Sequence, residues 1–434
     1  MKHLLLVSTF FTISFKVNCQ TSLSESEKEE VVNAVSKIMI DSYVFPDVGL
    51  KMGTLLVTNL TNKVYVGFTD PVEFASKLTQ DLVSVSHDKH IRIFFDPEWV
   101  SESKNILSKE DSLKLADRDL SIWKNENFGF KTLKILPGNI GYLKLDAMMD
   151  IQSGGETGVA AMNFLANTDA LIIDFRENRG GSNMGSLIAS YLFDGEPVQL
   201  AELHLREGNR IIQEWTLPHL PGKRLPNTPV YILTSSITFS AAEAITQRLK
   251  VLKRATIIGE RTAGGAHITE QRVATDRFCV YVPFGRSIGD PTRDTDWEGV
   301  GVIPDVETTS EEALNTAYIT SLENLMKSSV DSTNTYLWHL ENAKTKNKPY
   351  TQSLSFIKKC PGTYGDIVIK RENGELIYQK GKNTTYHLIP QSSDTFVADE
   401  VSYLRIQFIE KNNQISELRR LFEDGTIRVT KKNM

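Results

Sequence analysis

Ser240 stands in the segment VYILTSSITFSAAEAITQRLK, where an apolar run from Val230 to Leu233 gives way to a Ser/Thr-rich turn and then to a helical pattern beginning near Ser240. A serine at a strand-to-helix turn can expose its hydroxyl while the unbonded N–H groups of the helix start face the same point, an arrangement suited to acyl transfer. The commoner use of such a serine is structural, and Ser240 with Glu243 three residues later fits the capping box S-x-x-E. A second segment, DALIIDFRENRGGSNMGSL, reads as an apolar strand ending at Asp174, a Gly-Gly loop and a helix. Gly180 and Gly181 can offer backbone N–H groups to an oxyanion that a Cβ would obstruct, or can serve a tight turn needing positive φ; the two uses are compatible. A phosphate-binding loop is disfavoured, because no Lys-Ser/Thr follows the glycines.

Histidine enters in SVSHDKHIRIFFDP, where His87 and His90 precede an amphipathic strand pattern. H-x-x-H spacing suggests a metal, but no nearby His or Cys completes a zinc set, and exposed loop histidines are the simpler reading. A general base stays open, since base and nucleophile need meet only in space, within about 3 Å. Two further segments are GERTAGGAHIT, Gly259 to Thr269, a Gly-rich turn after a strand, and DTDWEGVGVIPDVE, Asp294 to Glu307, which reads as a strand flanked by acids. In the latter, Glu298 beside Trp297 is either a surface acid or a carboxylate that orients a base.

The elements that must position these residues change character along the chain. From residue 22 to 80 the pattern is helical, with Ser and acids at a helix start, Val31, Val32, Val35, Ile38 and Met39 at helical spacing, and a second helix from about Pro71 to Val83. Between Asp96 and Lys131 the chain is polar and charged, most simply a linker helix or solvated excursion. The middle third alternates NIGYLKLD, GVAAMNFLAN, ALIIDFR, MGSLIASYLF, VYILTS, AAEAITQRLKVL and ATIIGE, the strand–helix alternation of an α/β layer with a largely buried sheet. Residues 310–346 read as helical, and from Lys358 the chain switches to short strands punctuated by turn signals, an antiparallel β module with Leu388 and Phe396 inward. The expected division is 1–19 signal peptide, 20–96 N-terminal helical subdomain, 97–130 linker helix, 131–310 α/β core, 311–357 helical connector and 358–434 β-rich module.

Composition removes several function classes. The chain has 434 residues, 40% hydrophobic and 24% charged, with a formal net charge of −5, which is globular and supplies no cationic field for nucleic acid. No apolar run of about 18 or more residues follows the N-terminus, so the chain is not expected to span a membrane. Met1 to Gln20 carries a basic start at Lys2 and an apolar stretch from Leu4 to Phe15, the length of a secretory signal, with cleavage expected after Cys19. The chain is therefore expected to be exported, periplasmic or extracellular. Acylation of Cys19 is the less favoured alternative, since Lys16 and Asn18 intrude where small apolar residues belong. Cys279 and Cys360 then remain, and both read as buried neutral thiols rather than nucleophiles.

Taken in order, these segments resemble the serine peptidase family of tail-specific (C-terminal processing) proteases, tricorn proteases and the modules of interphotoreceptor retinoid-binding protein. The resemblance covers roughly residues 25–310, through FGFKTLKILPGNIGYLKLD, AAMNFLANTDALIIDFRENRGG, QEWTLPHLPGKR, TSSITFSAAEA, LKRATIIGERTAGGAH and WEGVGVIPDVE, and is closest to the retinoid-binding-protein-like branch. It implies a mixed α/β, crotonase-like ββα core. It also implies Ser240 as nucleophile, His90 in DKHIR as general base, and Glu298 as the acidic member of a tricorn-type tetrad. A serine precedes the histidine in that tetrad, whereas this chain has Lys89, which alters the relay. Processing proteases use a lysine base where this chain has Gly265, which removes a Ser–Lys dyad. The implied oxyanion donors are the N–H of Ala241 and that of Gly180 or Gly181, with Gly181 preferred.

The implied activity is hydrolysis of a peptide or protein substrate through an acyl-enzyme, with no metal or organic cofactor. The rival reading on the same architecture is a non-catalytic carrier of a hydrophobic small ligand, retinoid-like or fatty-acid-like. The tail from about Pro361 resembles a small lipocalin-like appendage of secreted hydrolases, and no residue in it commands a chemical role.

Overall fold

The structure, a computed structural model, describes residues 22–104, 118, 120–288, 297–328 and 334–433. The expected signal segment with Cys19, the middle of the expected linker helix and the acids at Asp294 and Asp296 lie outside the described residues. Two compact units divide the chain: one comprises residues up to 111, 204–211 and 267–286, the other 112–203, 212–266 and 287 onward. Among the described residues no helix is long and apolar enough to cross a membrane.

The first unit lays three helices, α1 (Glu25–Ser42), α2 (Pro46–Thr61) and α3 (Pro71–Ser86), over short strands. Their starts follow the local chemistry. The Ser24 hydroxyl accepts the Glu27 N–H at 3.2 Å, and Asp70 accepts those of Val72 and Glu73 at 2.8 and 2.9 Å ahead of Pro71. Val31, Val35 and Met39 of α1, Met52 and Leu56 of α2, and Phe74, Leu78 and Leu82 of α3 share one core with Ile93, Phe278, Val280 and Val282. The strands are β1 (Arg92–Phe95), β9 (Ile268–Val273) and β10 (Phe278–Ser287), with β10 paired antiparallel to both others. At the end of α1 the Arg206 guanidinium donates to the Ile40 and Tyr43 carbonyls at 2.7 and 2.6 Å, meeting acceptors the helix itself leaves unsatisfied.

The second unit is built on a six-stranded sheet in the order β11, β8, β7, β4, β3, β2. β2 (Phe130–Leu136) and β3 (Ile140–Leu145) are antiparallel. β4 (Ala170–Asp174), β7 (Val230–Thr234), β8 (Thr256–Gly259) and β11 (Val306–Glu307) continue in parallel. β4 and β7 are buried at every position, as continuous apolar runs covered on both faces should be. One face packs on α5 (Ile151–Phe164), α6 (Met184–Tyr191) and α7 (Ala241–Val251), the other on α8 (Ala313–Ser328) and α9 (Thr335–Asn347).

The expected strand over 294–307 is corrected. Among the described residues of this stretch the strand is confined to Val306–Glu307, and Trp297 to Gly301 form a turn in which the Val300 and Gly301 N–H groups donate to the Trp297 carbonyl at 3.1 and 2.8 Å. Gly299 and Gly301 have φ of 69° and 84°, outside strand geometry, so the apolar alternation of Val300, Val302 and Ile303 is no guide here.

After α10 (Leu354–Lys359) the chain forms an eight-stranded antiparallel meander from β12 (Gly362–Tyr364) to β19 (Ile427–Lys431). Its ends meet: the Asn433 N–H donates to the Thr363 carbonyl at 2.8 Å, and the Gly365 N–H to Asn433 Oδ1 at 3.1 Å. Tyr364, Ile369, Leu388, Phe396, Ile406, Phe408 and Leu418 fill the inside. Cys360 lies in this core, where burial pushes its thiol up to about 12, and burial also raises that of Cys279.

Phe396 is 1% exposed and meets Phe408 edge-on at 5.5 Å. Phe396→Ala is expected to cost about 3–5 kcal/mol in denaturant unfolding of the meander's transition. A loss under about 1 kcal/mol would show that this ring is not a keystone of the β module.

Candidate active site

Ser240 sits where β7 ends and α7 begins, with φ 53° and ψ −121°. Positive φ at a residue with a Cβ is rare and carries strain, so neighbouring contacts must hold it there. Three sets of hydrogen bonds do so. Thr238 Oγ1 donates to the Phe175 carbonyl at 2.9 Å and accepts the Ser235 N–H at 3.0 Å, folding the turn onto the end of β4. The Phe239 N–H donates to the Asn178 carbonyl at 3.0 Å. The Ser240 N–H donates to Glu243 Oε2 at 2.9 Å, which is the backward arm of the expected capping box.

Glu243 does far more than cap. Its side chain is fully buried and also accepts the N–H groups of Gly264 and Gly265, each at 2.7 Å, and the hydroxyl of Thr262. Burial pushes its pKa up, against the pull of these hydrogen bonds, which favour the anion. The carboxylate thus binds the serine turn to the Gly-rich loop GERTAGGAH. That loop is in turn locked to the Trp297 turn: the Trp297 indole donates to the Gly265 carbonyl at 3.1 Å, and the Ala266 N–H to Glu298 Oε2 at 2.6 Å. A Cβ on Gly264 would come within 3.0 Å of the backbone of residues 299–301, so only glycine allows this approach.

The RENRGG loop forms the other wall. Asn178 donates to the Leu145 carbonyl at 2.9 Å, and its Oδ1 accepts the Gly180 N–H at 2.8 Å. Gly180 lies so close to the serine that a Cβ there would stand 2.7 Å from Ser240 Cβ. Its N–H is therefore committed, whereas those of Gly181 and Ala241 have no acceptor among the described residues. Gly181, with φ 132°, bridges to Met148, and a Cβ on it would strike the Met148 carbonyl at 2.2 Å.

Of the residues singled out from sequence, Ser240, Ala241, Gly180, Gly181 and Glu298 lie in the second unit, the first four around one turn. His90 lies in the first unit, on the loop between α3 and β1. His87 is the exposed left-handed end of α3, with φ 57°. Between them Asp88 is completely buried, its Oδ1 accepting the His90 N–H at 2.9 Å and its Oδ2 meeting His267 Nδ1 at 2.6 Å. Sequence reading passed over Asp88 and His267; the signal available was an acid two residues before the candidate base. Glu243 was read only as a cap, and Asn178 not at all.

Residues 139–308 match the model of peptidase family S41, and residues 23–116 match that of the N-terminal domain of peptidase S41 in eukaryotic IRBP, together more than half the chain. Among solved structures, an S41 protease candidate of Bacteroides fragilis NCTC 9343 is 24% identical, with a TM-score of 0.38 over 44% of this chain and 56% of that one. A peptidase candidate of Parabacteroides merdae ATCC 43184 is 19% identical, TM-score 0.43, over 65% and 90%. The photosystem II D1 C-terminal processing protease is 16% identical, TM-score 0.41, over 67% and 94%. The chain thus spans little more than half the length of the first of these.

Replacing Glu243 by Gln removes the anion from three N–H donors and a hydroxyl and turns an amide toward them. Glu243→Gln is expected to lose about 3 kcal/mol in thermal or urea unfolding, as for a broken buried charge network. An unchanged melting temperature would remove Glu243 from its place as the fastening of the serine turn.

Proposed function

This chain belongs to peptidase family S41, and we propose that it acts as a serine-type peptidase on peptide or protein substrates, with Ser240 as nucleophile, His90 as general base and Glu298 steadying the base. The observation that carries this reading is the Ser240 turn. A serine held at positive φ on a helix start, with the Gly181 and Ala241 N–H groups uncommitted, supports its use as a nucleophile served by backbone donors. A cap needs no such strain, since N-cap residues ordinarily take extended φ/ψ.

In the proposed cycle His90 removes the Ser240 proton as Oγ attacks the carbonyl carbon. The N–H groups of Gly181 and Ala241 hold the oxyanion, and the Gly180 N–H bond to Asn178 Oδ1 supports Gly181 over Gly180 for this role. The imidazolium then protonates the departing amine, and water, deprotonated by the same histidine, releases the acyl group and regenerates the serine. Oxyanion-hole donors contribute about 10²–10³ in rate where one has been removed.

The finer features expected from the resemblance belong to the same proposal: a crotonase-like ββα core, the 131–310 core and 358–434 appendage as separate domains, and a lipocalin-like appendage. The parallel sheet with helices on both faces and the closed eight-stranded meander support them. Export through a cleaved leader is supported by the Lys2 start and the apolar run from Leu4 to Phe15.

The test is covalent labelling of the mature chain with a fluorophosphonate, read by mass spectrometry. Modification is expected at Ser240, abolished in Ser240→Ala, reduced at least about 10²-fold in His90→Ala, and declining with acid, since a histidine base must be neutral to accept the proton. A folded protein that takes no label would overturn the peptidase reading and favour the carrier.

A further inference from the structure

Asp88 is a buried ionisable group that the proposed cycle does not use. It offers no surface to solvent, and the donors that converge on it include two histidines and a tyrosine. The His90 N–H donates to Oδ1 at 2.9 Å, while Oδ2 receives the Tyr43 hydroxyl at 3.2 Å and His267 Nδ1 at 2.6 Å. A carboxylate only accepts, so the His267 proton sits on Nδ1. His267, 2% exposed at its side chain, is fixed edge-on between the rings of Tyr43 and Phe45, at 6.4 and 5.6 Å. The side chain of His90 is 7% exposed, and its Nδ1 stands 3.6 Å from Asp88 Oδ1.

We infer that Asp88 is a positioning residue for His90, a pre-desolvated anion that fixes the imidazole through its backbone and favours the imidazolium formed when His90 takes a proton. The inference rests on His90 being the base. Two features separate it from a plain turn cap. Closing the turn needs one oxygen to accept the His90 N–H, which an asparagine would supply equally well. The second oxygen is held by Tyr43 and His267 from α1's end and from the loop before β9, contacts that the turn does not require and that orient the charge.

Burial alone would raise the Asp88 carboxyl, but hydrogen bonds from His267 and His90 and the charge of His267 hold it well below the usual carboxylate range, so the anion persists at any pH where a peptidase of this type works. At 3.6 Å, in a site shielded from water, its effect on a new positive charge is much larger than that of a surface carboxylate. Within this unit the titratable groups around the carboxylate are His90, His267 and Tyr43, and only the first is assigned a proton in the reaction.

The experiment measures the fluorophosphonate labelling rate constant of Ser240 across pH 4.5–9 in the full mature chain, which requires no known substrate. Asp88→Asn keeps the shape and the Oδ1 acceptor but removes the charge. Its expected profile has a plateau about tenfold lower and an acid limb moved about one pH unit downward, the size of shift a nearby opposite charge produces. Asp88→Glu restores the charge and is expected to bring the limb back toward that of the wild type while the plateau stays low. A purely structural role would lower the rate equally at every pH and leave the limb in place in both variants, and that result overturns the inference. If Asp88→Asn does not fold, Asp88→Ser decides, since it also removes the charge while its hydroxyl can still accept the His90 N–H: a limb displaced downward supports the inference and a limb in the wild-type position overturns it. His90→Ala labelled at the wild-type rate would instead remove His90 as base, and the inference with it; loss of labelling in His90→Ala with an unchanged Asp88→Asn profile removes the inference alone.

Discussion

The buried Glu243 carboxylate is the constraint from which the serine turn follows. It collects the N–H groups of Ser240, Gly264 and Gly265 and the hydroxyl of Thr262, donors up to 22 residues away from it in the chain. A desolvated anion is tolerable only when its lone pairs are met, so the Gly-rich loop cannot move away from the helix start without exposing the charge to an apolar interior. That requirement helps hold a residue with a side chain at positive φ. The free energy stored in the Ser240 backbone is of order 1–3 kcal/mol, and a network of four hydrogen bonds to a charge is large enough to hold it.

Glycine is the second half of the same constraint. Around Ser240 the walls are main chain rather than side chain: Gly180 against the serine, Gly181 against Met148, Gly264 against the 299–301 turn, Gly301 against the Thr262 carbonyl. At Gly180, Gly181 and Gly301 the approach is closer than a Cβ allows, and at Gly264, with φ 87°, it is tight. The outcome is a surface whose exposed chemistry consists of backbone N–H groups at fixed positions, and such groups need no reorganisation when charge develops near them. Side-chain donors could supply the same hydrogen bonds only by also giving up rotamer freedom.

What could be read from the sequence followed from how local the determining interaction is. The strand, turn and helix around Ser240 were legible because apolar run, polar turn and S-x-x-E are contiguous, and the helix starts at Ser24 and Asp70 were set by side chains within three residues. The difference between the two glycines could not be argued from the pair itself, because Asn178, two residues upstream of Gly180, takes the Gly180 N–H. The 294–307 stretch misled for the opposite reason: Val300, Val302 and Ile303 look like a strand by type, but the glycines between and before them adopt φ values that only a turn uses. Asp88 was invisible because it is polar, flanked by polar residues, and acquires its meaning only from Tyr43 and His267, the latter 179 residues away.

Asp88 and Glu243 repeat one solution in the two units. Each is an acid close in sequence to the residue proposed to react, two before His90 and three after Ser240, and each receives that residue's own backbone N–H. Each also accepts from the segment between Thr262 and His267: Glu243 takes Thr262, Gly264 and Gly265, and Asp88 takes His267 beside the Tyr43 hydroxyl. The chain passes from one unit to the other between Ala266 and His267, so this short segment is held by a buried anion on either side of the crossing. A mutation that loosened either carboxylate would therefore act first on the residue whose N–H it accepts, His90 for Asp88 and Ser240 for Glu243.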